Sequence, residues 1–509
     1  MDFLTHLALA FKVSLDPTNL LMCFIGVFIG TTIGVLPGLG PVTTLSLLLP
    51  ITYKLSPIQS MIMLAGIYYG AQYGGSTTSI LLNIPGEAST MVTCLDGYQM
   101  ARKGRAGAAL GISAIGSFIG GTFALIMMVF LSPVLAGFAL RFGPPENASL
   151  IALGLVMVTY LSSGSMNKSL MMAAAGLLLG CIGTDLITGT IRFWSGMTEL
   201  TEGLGIVPVA MGLFGLSEVF LNIEKTLTKR EVFETRTKGI KGLLPDKHEF
   251  RDSAGPIARG SMVGFFLGLI PGGGALLASF MSYAMERRLS KHPETFGQGD
   301  IKGVAGPETA NNAAAQGSYI PLMTLGIPPN AIMGVLMGAF LIHGVTPGPF
   351  LLGSHPDLFW GVVGSMYIGN VMLLVLNLPL IGMWVQVLKV PYALLFPIIL
   401  IICLIGSYSV SSDVFDAIVM IVFGIVGYLM KKCDYPAAPL VLALILGPMF
   451  EKNLGQSLMM SNGSFTIFFS RLISLVFLLV TFFLLASPPI LRLLKKKHPA
   501  LLMERGDDL

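Results

Sequence analysis

Residues 34–44 read GVLPGLGPVTT and residues 268–278 read GLIPGGGALLA. Each block interrupts an apolar run with Pro-Gly, which leaves backbone N–H and C=O groups without helical partners. Lipid cannot satisfy such groups, so unwound backbone at membrane depth must face protein or a water-filled cavity. There the freed groups become ligands: N–H groups at a helix N-terminus meet an anion, and carbonyls hold a cation. The candidate substrate-binding residues are therefore Pro37, Gly38 and Gly40 with the flanking hydroxyls of Thr31, Thr32, Thr43 and Thr44, and Pro271, Gly272, Gly273 and Gly274. The backbone at Leu36, Gly38, Ile270 and Gly272 is the matching candidate for a coupling cation, Na⁺ or H⁺, with Na⁺ held at those carbonyls.

A second pair of segments, AQYGGSTTSILLNIPGEAS (71–89) and AGPETANNAAAQGSYIPLMTLGIPPNA (305–331), combines small residues, hydroxyls and amides with a break at Ile-Pro. Polar side chains at that depth need partners and mark transport paths. Ser76, Thr77, Thr78, Asn83, Asn311, Asn312, Ser318, Thr324 and Pro328 join the substrate candidates. Glu308, Asn311 and Asn312 share one helical turn. Together with the backbone at Gly326 they offer oxygen chemistry for Na⁺ or for a proton. The alternative is a solvated helix start at Pro307, with Glu308 in a favourable dipole position. Asp413 and Asp416, after Ser411 and Ser412, read as helix-capping residues.

The elements that must position these groups follow from composition. With 53% hydrophobic and 11% charged residues and a mean hydropathy of +0.78, the 509-residue chain is an all-α polytopic membrane protein. Apolar runs fit about 11–12 transmembrane helices. The opening MDFLTHLALAFKVSLDPTN lacks a basic n-region and reads as a short amphipathic helix before the first span. The net charge of +4 sits in loops and reports topology, not nucleic-acid binding. Five scattered cysteines and six dispersed histidines form no metal spacing, no clustered acid-base set suggests an enzyme, and no Walker A motif suggests direct use of ATP. No cofactor is expected.

GVLPGLGP aligns with GLIPGGGA at an offset of 234 residues, and LLNIPGEA with TLGIPPNA at 243. This echo predicts a duplication: a first repeat over 1–223, a cytoplasmic connector over 224–255, a second repeat over 256–460, and a final helix with a basic tail over 461–509. ARKGR (101–105) has a counterpart without Lys or Arg (343–356), and ERRLSKH (286–292) is far more basic than its counterpart around Lys54. Equivalent loops thus fall on opposite sides, which predicts inverted repeats with re-entrant or broken helices and a site near the bilayer midplane.

GPETANNAAAQGSYIPLMTLGIPP, GVLPGLGP, LIPGGGA and the later ILGPMFEKNLGQSL together resemble the large membrane subunit of the bacterial tripartite tricarboxylate transporters, over nearly the whole chain. The resemblance implies a secondary transporter of the inner membrane. Its implied partners are a small four-helix membrane subunit and a periplasmic solute-binding protein that delivers a carboxylate, such as citrate, for cation-coupled, elevator-type uptake. The alternative is a stand-alone ion-coupled carrier or channel. Pro329, Asn330, Ser318 and Tyr319 depart from the expected pattern.

Overall fold

A computed structural model describes residues 3–36, 40–161, 165–185, 187–225, 242–387, 392–411 and 413–497. Pro37 and Gly38 lie outside the described residues, as does half of the connector, 226–241. The chain forms α1 (Phe3–Ser14), α2 (Pro17–Val35), α3 (Pro41–Thr52), α4 (Pro57–Leu82), α5 (Thr93–Arg102), α6 (Ala106–Ala139), α7 (Pro144–Leu161) and α8 (Met166–Gly180). A two-residue hairpin, Gly183–Thr184 against Ile191–Arg192, is the β-structure among the described residues. Then α9 (Ile206–Ala210) continues through a π-turn, Met211–Leu216, into α10 (Ser217–Lys225). The rest are α11 (Lys247–Leu269), α12 (Gly274–Leu289), α13 (Lys302–Gly317), α14 (Ala331–Ile342), α15 (Leu351–Ser354), α16 (Pro356–Asn377), α17 (Ile381–Val387), α18 (Tyr392–Ser411), α19 (Val414–Lys432), α20 (Ala437–Met460), α21 (Thr466–Ser470) and α22 (Leu472–Lys497).

These helices form two compact units, Met1–Arg141 with Leu204–Ala437, and Phe142–Gly203 with Ala438–Leu509. In the smaller unit Arg192 donates to both Glu451 oxygens at 2.5 and 2.9 Å, and Arg471 reaches the buried Glu146 at 3.2 Å. The larger unit holds all the candidate site residues.

Among the described residues five helices, α2, α6, α16, α19 and α20, are long and apolar enough to cross a membrane. The chain is an all-α polytopic membrane protein. α3 and α14, at 12 residues each, reach only about 18 Å, short of the roughly 30 Å hydrocarbon core. They are half-helices that start at the breaks.

α4 and α13 can be polar because protein surrounds them: nearly every residue from Ser60 to Leu81 and from Gly303 to Gly317 is buried. Each is gripped by a neighbour through a glycine seam. Gly26, Gly30 and Gly34 of α2 press on the backbone of Met63, Ile67 and Ala71, so closely that an added Cβ would lie 2.2–2.4 Å from their carbonyl oxygens. Gly260, Gly264 and Gly268 of α11 press likewise on Gly306, Ala310 and Ala314, at 2.2–2.5 Å. Such small-residue stripes let helices touch backbone to backbone where water supplies no driving force. The two seams bring the ends of α2 and α11 down beside the far ends of the polar helices.

Candidate functional site

α2 and α11 each end in one extended residue, Leu36 (φ −87°, ψ 105°) and Ile270 (φ −88°, ψ 125°). Both polar helices end in a left-handed residue 243 positions apart, Asn83 (φ 55°) after α4 and Gly326 (φ 70°) after the π-turn Pro321–Leu325 that extends α13. The Ile-Pro pair then prevents the helix from resuming.

The end of α2 and the second Pro-Gly turn each dock on the polar helix or break of their own half. Thr78 donates its hydroxyl to the Val35 carbonyl at 2.7 Å, satisfying an orphan acceptor at the end of α2. Gly272, at φ 81°, donates its N–H to the Pro329 carbonyl at 2.6 Å. The pro-side-chain position of Gly274 lies 3.7 Å from the Asn330 amide, so the N-termini of α12 and α14 adjoin. Asn330 caps α14 through the Met333 N–H at 3.0 Å.

Glu87 occupies the position equivalent to Asn330. It accepts from the Gln72 amide at 2.8 Å, and Ser89 donates to the other end of that amide at 2.7 Å. Its second oxygen is buried without a partner. Tyr68 of α4 joins the halves: its hydroxyl faces Asn330 and Ser318, and its ring lies 6.2 Å from that of Tyr319. The Tyr319 hydroxyl and one oxygen of Gln316 are also buried and unpartnered, and both residues are at most 2% exposed. Among these groups the Tyr319 hydroxyl and the two adjoining helix N-termini are donors that can take an oxyanion, whereas the Glu87 and Gln316 oxygens are acceptors.

A second cluster surrounds Glu308, which is fully buried. Pro307 lies inside α13, so the solvated helix start is not what forms here. Ser76 of α4 donates to Glu308 at 2.5 Å, Thr93 of α5 donates to its other oxygen, and Asn311 reaches it at 3.4 Å. Asn312 donates to Asn311 at 2.6 Å and to Ser117 of α6 at 2.8 Å. The spacing of Glu308, Asn311 and Asn312 thus assembles one network across four helices.

Residues 20–442 match the family model described as "Tripartite tricarboxylate transporter TctA family". The chain belongs to that family. It is 51% identical over 468 residues, 92% of each chain, to an uncharacterised 52.8 kDa protein of Agrobacterium vitis named for its place in the TAR-I ttuC′ 3′ region. A second Agrobacterium vitis protein, from the TAR-II ttuC′ 3′ region, is 52% identical over 205 residues, 40% of this chain and 85% of that one. No solved structure matches. TctA proteins are transporter components, not an enzyme family, and work with small membrane and periplasmic binding-protein partners. The chain is the large subunit of such a tripartite transporter.

In this TctA chain several candidates do not point into either cluster. Thr31, Thr32, Thr44 and Thr324 donate back to Val27, Phe28, Gly40 and Ile320 of their own helices, and Thr43 donates to Phe214. A helical hydroxyl in apolar surroundings takes the carbonyl one turn back. Asn83 is exposed and serves as a backbone corner. Gly40 has open space around it, and Gly326 faces the Pro347 carbonyl. Gly273 donates to the Ile270 carbonyl at 3.0 Å, which occupies one of the acceptors assigned to a cation. Pro271 sits half-buried at the turn's tip, and Pro328 is buried in the break. Ser318 and Asn330 adjoin at 3.4 Å, and Thr77 lines a small polar cavity.

Sequence reasoning passed over Tyr68, Gln72, Glu87, Thr93, Gln316 and Tyr319. Glu87 was visible as the residue that aligns with Asn330 in the echoed Ile-Pro motif. The glycine seams were visible too, as Gly at every fourth position in α2 and α11. Asp96 had no sequence signal: it accepts the N–H groups of Gly297, Gly299 and Asp300 at 2.7–3.0 Å and the Tyr283 hydroxyl at 2.9 Å.

Proposed function

We propose that this large subunit carries a tricarboxylate or related carboxylate inward across the bacterial inner membrane, coupled to Na⁺ or H⁺, after delivery by a periplasmic binding protein. The carboxylate lies against the N-termini of α12 and α14, beside Tyr68, Tyr319 and Asn330. The observation that carries this reading is the meeting of the two helix starts at Gly274 and Asn330, next to the buried Tyr319 hydroxyl, a donor without a partner. The Glu308 network offers the negative charge that a coupling cation needs. Moving one negative charge inward against 100 mV costs about 2.3 kcal/mol, so a multiply charged substrate requires accompanying cations.

An inverted pair of repeats moving as an elevator is part of the same proposal. In its support, the basic segments expected on one side come together: Lys103 donates to the Gln298 carbonyl, and Arg105 pairs with Glu249 at the far end of the connector. Lys431 and Lys432 pair with Glu218 and Glu224 at the connector's near end.

The test is carboxylate uptake by liposomes holding this subunit with its small partner, given the binding protein. Asn330→Ala and Tyr68→Phe each remove one bond to a charged ligand, about 1.5–3 kcal/mol, and reduce apparent affinity at least about tenfold. Unchanged affinity in both variants refutes the assigned site. Equal uptake without the binding protein refutes the tripartite mode.

A further inference from the structure

Beside Glu308 lies a cavity of about 10 Å³, close to the room a single water molecule needs. Its walls come from α4 (Tyr73, Ser76, Thr77), α6 (Leu110, Ser113, Ala114) and Asn377, the last residue of α16. Asn377 is 4% exposed. Its amide nitrogen is anchored on the Leu373 carbonyl at 3.0 Å, which leaves its oxygen as the end without a partner. A buried acceptor in that state costs about 1–3 kcal/mol unless something reaches it.

The other walls are set up to accept as well. Ser76 and Ser113 both turn their hydroxyls toward the Glu308 carboxylate. The Gln72 carbonyl, 3.2 Å from the Ser76 oxygen, is that proton's alternative acceptor. A hydroxyl that gives its proton to a carboxylate presents lone pairs on its other side, here the side that lines the cavity. Tyr73 donates its proton to Asn370 at 2.8 Å and leaves its oxygen likewise free to accept. Glu308 itself is surrounded by neutral groups, Ser76, Thr93, Asn311 and Ser113, with no cationic partner among them. An ionised carboxylate in that position needs a positive charge close by.

We infer that this cavity is a binding site for one dehydrated monovalent cation of Na⁺ size, held by Ser76, Thr77, Ser113 and the Asn377 oxygen with Glu308 as its counter-charge. This deepens the importer reading and rests on it, by giving the coupling ion a place apart from the Pro-Gly turns. One carboxylate among neutral oxygens suits a hard monovalent ion; Ca²⁺ and Mg²⁺ call for more anionic ligands or retained water. The single-water volume excludes the carboxylate substrate, so ion and substrate occupy separate places that share α4.

The experiment is equilibrium binding of ²²Na⁺ to the purified full-length chain in detergent, with choline replacing Na⁺ at constant ionic strength. Wild type shows saturable binding that a tenfold excess of K⁺ does not displace. Asn377→Leu keeps bulk but removes the acceptor, and Ser113→Ala removes one hydroxyl from the helix interior without adding bulk. Each weakens Na⁺ at least about tenfold, with size-exclusion profiles unchanged. Because Ser113→Ala is so small a change, it decides the matter should Asn377→Leu not fold. Unaltered half-saturation in the folded variants overturns the site, as does K⁺ binding as well as Na⁺. Absence of saturable Na⁺ binding in wild type overturns it too, and assigns Glu308 a proton. Na⁺ binding lost in the variants of a chain that moves no carboxylate upholds the site and counts against the importer instead.

Discussion

Replacing Asp96 by Asn tests whether α5 fastens the second half of the chain to the first. Asp96 is fully buried and accepts three backbone N–H groups, those of Gly297, Gly299 and Asp300, with the Tyr283 hydroxyl as a fourth donor. Three residues earlier on α5, Thr93 donates to Glu308. One helix therefore holds both the loop before α13 and the carboxylate inside it. A hydrogen bond to a charged acceptor contributes about 1.5–3 kcal/mol and one to a neutral acceptor about 0.5–1.5 kcal/mol. Asp96→Asn thus weakens each of the three N–H bonds by about 1 kcal/mol, or about 3 kcal/mol together. Since 1.4 kcal/mol is tenfold, the loop opens on the order of a hundredfold more often. Hydrogen exchange followed by mass spectrometry reads this directly: peptides covering 296–301 lose about two decades of protection, while α16 keeps its own. Asp96→Ala, which removes the acceptor entirely, loses at least as much. Undiminished protection in Asp96→Asn refutes the claim that this carboxylate is the fastening.

The glycine seam predicts that Gly264→Ala, whose Cβ would sit 2.2 Å from the Ala310 oxygen, costs about 1–3 kcal/mol and lowers the melting temperature in detergent, whereas alanine at Gly137, which has open space, does not. Glu308→Ala or Asn311→Ala abolishes uptake while the protein still inserts; normal kinetics in both would remove that network from transport. Cysteines at Gly104 and Pro347 label from opposite sides of the membrane, and labelling from one side rejects inverted repeats. On the exposed hairpin, the Ile187 N–H and then the Thr188 hydroxyl hold the Asp185 carboxylate below its ordinary value of 3.8. A folded-state value that is depressed supports the turn above the unfolded value, so exchange at Gly189 and Thr190 stays slow near about pH 5 and rises as the pH falls below 3.8.

What was legible in the sequence was the backbone. Proline and glycine act locally, so the second Pro-Gly turn, the Ile-Pro stops and the Asp413 cap, which accepts the Phe415 N–H at 2.9 Å, could be placed from residue type alone. That Glu308, Asn311 and Asn312 share a face was legible because one helical turn fixes their spacing. The partners of those groups were not legible, since Ser76, Thr93 and Ser117 come from three other helices whose packing no local rule sets. The threonines around the first turn show the opposite case. Their hydroxyls suit a ligand by type, yet the nearest acceptor is the carbonyl four residues back in their own helix. The division into units was equally invisible, because α7, α8 and α20–α22 gather from separated stretches of chain.

The halves of the larger unit are interlaced as well as joined. α12, which follows the second turn, packs on the short helical turn at Ala88–Thr90 after the first break, and α14 packs on α3. A nascent chain that has delivered only the first hundred residues to the bilayer therefore holds one unmated half, with carbonyls and hydroxyls facing lipid until residue 342 of α14 has left the ribosome. Insertion of this protein must accordingly be a late, collective event in which early segments wait in a sheltered place, and a truncation between the halves should be cleared by quality control and not accumulate as a stable half-transporter.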